Sequence, residues 1–118
     1  MNLDDLDLFK KLDTKNMLAQ IDGLPDQLQS AWDFGLTQLL PDFKDIKNIL
    51  ICGMGDSAIA AELVIASVSS SIRIPVTLHR NCGLPAFASG QHTLVLCCSH
   101  SGNTEEVLDS FEAAIKND

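Results

Sequence analysis

Two short stretches of this chain carry groups suited to holding an anion. The first is Gly53-Met54-Gly55-Asp56-Ser57. Glycines let the backbone turn sharply and bring N–H groups to a ligand with no Cβ in the way, and a helix start beyond them adds unpaired donors and partial positive charge. The second is Ser99-His100-Ser101-Gly102-Asn103-Thr104-Glu105-Glu106, with three hydroxyls and a glycine in its first six positions. A phosphate dianion asks for several converging donors, and hydroxyls with helix-terminal amides supply them without a cation. Glu105 and Glu106 suit the first turn of a helix.

Other chemistries fit less well. A dinucleotide fingerprint GxGxxG would place glycine at position 58, which is Ala58, and the second strand ends in Leu78-His79-Arg80 where an acidic residue is needed. No Walker lysine follows the first loop. His100 lies between two serines with no identifiable partner carboxylate, so it forms no triad and is read either as a substrate contact or as loop packing. Arg80 is a weaker substrate-side candidate, with a surface cation at the strand end as the alternative. The first loop has its own alternative, a glycine turn in which Ser57 or Asp56 is a simple N-cap. Neither metal nor cofactor is implied, and no catalytic residue is identified.

The elements needed to position these loops can be read from pattern. From Ile46 onward short β-rich runs alternate with helical ones, which is a βαβ arrangement. Strands are expected over 46–52, 74–78 and 93–98, the first and third each running directly into one of the two loops. Helices are expected over 58–68 and 104–116. Near-continuous apolar runs fit parallel strands buried on both faces. Both loops then fall at carboxyl ends of strands, where open α/β sheets bind ligands. Upstream, residues 1–15 read as a mobile or loosely docked arm. Asn16 reads as the cap of a short helix through Ile21 closed by Gly23, and Pro25 opens a helix over 25–40. Its apolar face of Leu24, Leu28, Trp32, Leu36 and Leu39 or Leu40 is expected to pack on something larger, with Trp32 a core anchor. The division is therefore residues 1–45, a helical segment, and 46–118, an α/β segment.

Composition narrows the partners. Sixteen acidic residues against eight basic ones give a net charge of -8, and Lys10 and Lys11 are the only adjacent cations, which argues against a nucleic-acid groove. Nine of the carboxylates precede residue 46, and between Ser57 and Asn103 only Glu62 is acidic, so a small anion in the α/β segment is not opposed. Cys52, Cys82, Cys97 and Cys98 show no CxxC spacing, and the acidic N-terminus is unlike a secretory leader, which points to free thiols and a cytoplasmic protein. No apolar run approaches the ~20 residues of a membrane span.

The segments ICGMGDSAIAAEL and CCSHSGNTEEVLDSFEAA resemble the N-terminal half of a sugar isomerase (SIS) domain, whose second loop commonly reads S-x-S-G-x-T before acidic residues. With the leading GLP turn, the H-R strand end and the following L-P, the chain more narrowly resembles the bifunctional phosphoglucose/phosphomannose isomerase family over residues 16–116. The resemblance implies a three-layer αβα fold with a parallel sheet of flavodoxin-like order, here incomplete and preceded by N-terminal helices. It implies that Ser57, Ser99, Ser101 and Thr104 hydrogen-bond a substrate 6-phosphate while Gly53 and Gly55 shape the near wall. Asp56 stands where the family has glycine and places a carboxylate beside that site. The implied reaction interconverts glucose 6-phosphate or mannose 6-phosphate with fructose 6-phosphate in a cytoplasmic homodimer. The glutamate and histidine that move protons in the family belong to later chain, so the 118 residues are expected to be an inactive N-terminal part of a longer protein. A minimal three-stranded domain completed by dimerisation is the alternative. A SIS sensor module, a different SIS enzyme such as an amino-sugar phosphate isomerase, and an interaction domain whose loops bind nothing remain as alternative functions.

Overall fold

In the computed structural model, residues 5–117 are described; residues 1–4 of the expected arm, and the terminal Asp118, lie outside them. The chain divides into two compact units, Met1–Asp42 and Phe43–Asp118.

The elements described in the first unit are all helices: α1 (Leu6–Leu12), α2 (Met17–Asp22) and α3 (Leu24–Leu36). Within the expected arm, Leu6–Leu12 form a helix: the Asp5 side chain caps it, accepting from the Leu8 amide at 3.1 Å, and Lys10 and Lys11 sit in its last turn. The cap of α2 also differs from expectation. Asn16 takes the left-handed conformation at φ 54° and makes no side-chain cap bond, and the Asp13 carboxylate instead accepts from the amides of Met17 at 2.7 Å and Leu18 at 2.8 Å. Pro25 opens α3 as expected, yet the helix stops at Leu36 with Thr37 as its C-cap. The leucine pattern runs on to Leu39 and Leu40, but Pro41 disfavours helical backbone at Leu40, and both leucines are exposed. None of the three helices buries a residue. Trp32, at 67% exposure, is therefore no core anchor within its own unit, and Leu28 and Leu36 beside it are equally open.

The second unit is an α/β sandwich. β1 (Asn48–Gly53), α4 (Gly55–Val68), β2 (Val76–His79), β3 (Thr93–Cys98) and α5 (Glu105–Lys116) follow one another, and the strands form an all-parallel sheet in the order β2-β1-β3. Each strand falls within two residues of its sequence position, and β3 falls on it. β1 is the central strand, and Leu50 in its middle is completely buried, as near-continuous apolar runs in parallel sheets require. β2 begins after Pro75, which cannot donate to a ladder but whose carbonyl accepts from the Ile49 amide at 2.9 Å.

Register decides the two faces. Leu50 pairs with Val95 and Cys52 with Cys97, and these four lie on the face where Leu84 and Ala88 of the β2–β3 connection cover them. That connection contains no helix and crosses β1 as irregular chain. α5 packs over β3 and β1, while α4 packs over β1 and β2. α4 buries only Ala58 and Ala61, a small-residue face that admits close approach, and leaves Ile59, Leu63 and Val64 exposed. Expected burial of all three strands on both faces holds for β1 and fails for β3, where Leu96 is 40% exposed beside an open apolar cleft bordered by Ile51, Ala61 and Val64.

Candidate functional site

The helix after β1 and the helix after β3 pack over different pairs of strands, and adjacent parallel strands whose connections diverge leave a crevice beyond their carboxyl ends. Gly53 and Cys98 are register partners across β1 and β3. The two candidate loops therefore leave the sheet from neighbouring positions, on strands about 4.8 Å apart. Gly53, Gly55, Ser57, Ser99, Ser101 and Thr104 thus all follow the carboxyl ends of two neighbouring strands.

In the first loop Gly53 is buried, and a Cβ there would stand 3.5 Å from both the Ala58 nitrogen and the Cys98 carbonyl oxygen, ordinary contact with no room to spare. Gly55 adopts φ +50° with open space around its missing side chain, so it is glycine for backbone conformation and not for crowding. Met54 is the N-cap of α4 and makes no side-chain cap bond; Ser57 and Asp56, the two expected alternatives for that task, lie inside the first turn. Ser57 borders the apolar cleft together with Cys98. Asp56 is exposed in the same turn.

The second loop is a hydroxyl network. Ser99 Oγ lies 2.9 Å from Thr104 Oγ1 and 3.4 Å from Ser101 Oγ. The Gly102 amide donates to Ser99 Oγ at 3.1 Å and the Asn103 amide to Ser101 Oγ at 3.2 Å. Gly102 sits at φ +68°, which closes the turn at little steric cost for glycine. Thr104 is the N-cap of α5, but its hydroxyl makes no cap bond to the helix, and the cap is made by its carbonyl, which accepts from Val107 and Leu108. Three hydroxyls thus converge, with two of their three protons engaged in the contacts among them; rotated outward, the same hydroxyls are chemically suited to donate to an oxyanion. Glu105 and Glu106 occupy the first turn of α5, as their position along the helix suggested.

Two further candidates are placed differently. Arg80 leaves β2 and pairs with Glu62 of α4 at 2.8 Å, both side chains about half exposed. His100 is exposed on the serine turn. Among the described residues no cluster of His, Cys, Asp or Glu could hold a metal ion, and no helix is long and apolar enough to cross a membrane. All four cysteines are free thiols. Burial raises the pKa of Cys52, and burial followed by repulsion from Cys52 pushes Cys97 up to about 11, so both are protonated packing groups at neutral pH.

Pattern reading missed the contacts that hold α5. The Gly83 amide donates to Asp109 Oδ2 at 2.6 Å, and the fully buried Ser110 hydroxyl lies 2.9 Å from the Gly83 carbonyl, 3.3 Å from that of Asn81 and 2.8 Å from that of Glu106. Only one signal was available for them: Ser110 is a polar residue between the inward positions Val107 and Ala114 of an amphipathic helix.

Fold and loops together define a parallel α/β protein with a hydroxyl cluster at the carboxyl end of its sheet. No family model matches the chain, and no solved structure matches it significantly. Curated relatives do. The chain is 36% identical over 99 residues to a bifunctional phosphoglucose/phosphomannose isomerase of Caldicellulosiruptor bescii, covering 83% of this chain and 29% of the relative. It is 33% identical over 96 residues to one of Aquifex aeolicus, covering 80% and 28%. A third, from Thermoplasma acidophilum, is 41% identical over 69 residues, 58% of this chain and 21% of its own. The chain belongs to the bifunctional phosphoglucose/phosphomannose isomerase family, which implies a SIS domain, and it spans under a third of the length of these relatives.

Proposed function

We propose that this chain supplies the phosphate-holding part of an aldose-ketose isomerase that interconverts glucose 6-phosphate or mannose 6-phosphate with fructose 6-phosphate. One observation carries the reading: the hydroxyls of Ser99, Ser101 and Thr104 converge beside a glycine turn on the neighbouring strand end. Ser57 adds a fourth hydroxyl from the first turn of α4. Hydroxyls and helix-terminal amides hold a dianion by directed hydrogen bonds, which suits a chain of net charge -8 with no cationic patch to offer. Asp56 is compatible with this when its carboxylate stays in solvent, where it is exposed.

The reaction itself needs a group that moves a proton between C1 and C2 and a group that opens the sugar ring. We assign neither role to Glu105, Glu106 or His100. Glu105 and Glu106 occupy the first turn of α5, where negative charge stabilises the helix, and no general base is needed to explain them. The chain by itself thus binds and does not isomerise, and the full enzyme is a cytoplasmic homodimer whose acid and base lie outside these residues. Calorimetric titration with fructose 6-phosphate tests the binding claim. Saturable heat that Ser101→Ala weakens at least tenfold supports it; the absence of heat and of any thermal shift in the unsubstituted chain overturns it.

A further inference from the structure

The helix that carries Thr104 is held to its unit by a narrow seam. Of α5 only Val107 and Ser110 are buried, while Leu108, Phe111 and Ile115, its larger apolar side chains, are 41%, 51% and 61% exposed. Hydrophobic burial is therefore incomplete along this helix and leaves its placement on the sheet partly to other contacts. Polar contacts with the turn after β2 supply what is missing. Ser110 has a single hydroxyl proton to divide among three carbonyls, one of them in its own helix. Asp109 makes the undivided contact, a carboxylate accepting the Gly83 amide at 2.6 Å, the short, charge-assisted kind.

We infer that Asp109 is a positioning residue for the serine loop, setting the placement of Thr104 through α5 by clamping the helix to the Asn81–Gly83 turn. The chain of contacts is continuous. Asp109 holds α5 to Gly83, the first turn of α5 closes on the Thr104 carbonyl, and Thr104 Oγ1 meets Ser99 Oγ at 2.9 Å. Ser99 in turn receives the Gly102 amide. A shift of α5 by a fraction of a turn would separate Thr104 from Ser99 and loosen the turn that both close. Gly83 itself is suited to the clamp: it sits at φ +69°, and Asp109 Oδ2 would lie 4.0 Å from any Cβ built there. The consequence for ligand binding rests on the phosphate-holding function proposed above; the consequence for the loop does not.

The test is site-resolved amide hydrogen exchange on the whole chain, with Asp109→Ala and Asp109→Asn. Asp109→Ala is expected to speed exchange about tenfold at Gly83 and also at Gly102 and Asn103, as loss of one charged hydrogen bond predicts, while Leu50 to Cys52 keep their protection. Asp109→Asn, whose carboxamide oxygen still accepts, is expected to restore part of the protection at all three amides together. A change at Gly83 with Gly102 and Asn103 unmoved, in either variant, overturns the inference. So does faster exchange in Asp109→Asn equal to that in Asp109→Ala. If Asp109→Ala also strips protection from the sheet, the correlated or uncorrelated response in Asp109→Asn decides alone. Fructose 6-phosphate titration is the second arm, with affinity falling in step with loop protection. A chain that never binds the sugar phosphate defeats the proposed function, yet the exchange result still decides the role of Asp109.

Discussion

Ser99, Ser101 and Thr104 were legible in the sequence because their partners are local, two to five residues apart on one turn. Asp109 and Ser110 were not, since the groups they hold lie 26 and 27 residues upstream and no pattern along the chain announces them. Packing residues behave in the same way as the serines. Leu50, fully buried at the centre of β1, is apolar in an apolar run; truncation to Leu50→Ala is expected to cost about 2–5 kcal/mol, read as a lower urea midpoint at unchanged slope. The paired thiols give a pH prediction. Cys52 and Cys97 hold their protons more tightly when folded than unfolded, so the stability they contribute is complete below pH 9 and falls as pH rises toward 11. Urea titrations at pH 8 and pH 10.5 should show that fall, and Cys97→Val should make it shallower; an equal fall in the variant would assign the effect to other groups.

At the scale of elements, strands were read more faithfully than helix ends. Strand positions follow from apolar runs bounded by glycine or proline, whereas a helix end depends on which side chain reaches a free amide. Asp13 shows the difference. Four residues before α2 it caps that helix, while Asn16, the better candidate by position, adopts a left-handed backbone that turns the chain. The two amide bonds lower the Asp13 pKa, so the capping contribution is present above its ordinary value near 3.8 and disappears as pH falls through the lowered value. Protection of the Met17 and Leu18 amides, taken relative to the intrinsic exchange rate at each pH, should fall on acidification below that range and should already be low at neutral pH in Asp13→Ala. In the second unit Gly102 plays the equivalent part for the serine turn. A left-handed position costs a side-chain-bearing residue roughly 1–2 kcal/mol, so Gly102→Ala is expected to destabilise the turn by about that amount and to weaken sugar-phosphate binding, measurable by titration alongside a thermal melt.

For the whole molecule, the decisive contrast is between a unit that buries no residue in any helix and a unit built on a completely buried strand centre. Sequence periodicity gave both units the same apparent quality, since α3 has as regular an apolar stripe as α5. Periodicity reports which residues could be covered, and only the remainder of the structure says whether anything covers them. That contrast makes a prediction for aromatic side chains that are all more than half exposed. Trp32 and Phe34 of α3 are each 67% exposed, and Phe87 and Phe111 of the second unit are 53% and 51% exposed. A protease cleaves backbone that has opened locally, and opening is easy where few apolar contacts oppose it. Brief chymotrypsin digestion should therefore cut at Trp32 and Phe34 well before Phe111, whose helix is tied to the β2 turn through Asp109 and Ser110. Equal rates at Trp32 and Phe111 would show that α5 opens as freely as α3, and a serine loop carried on so loose a helix could not hold its three hydroxyls in register for a phosphate.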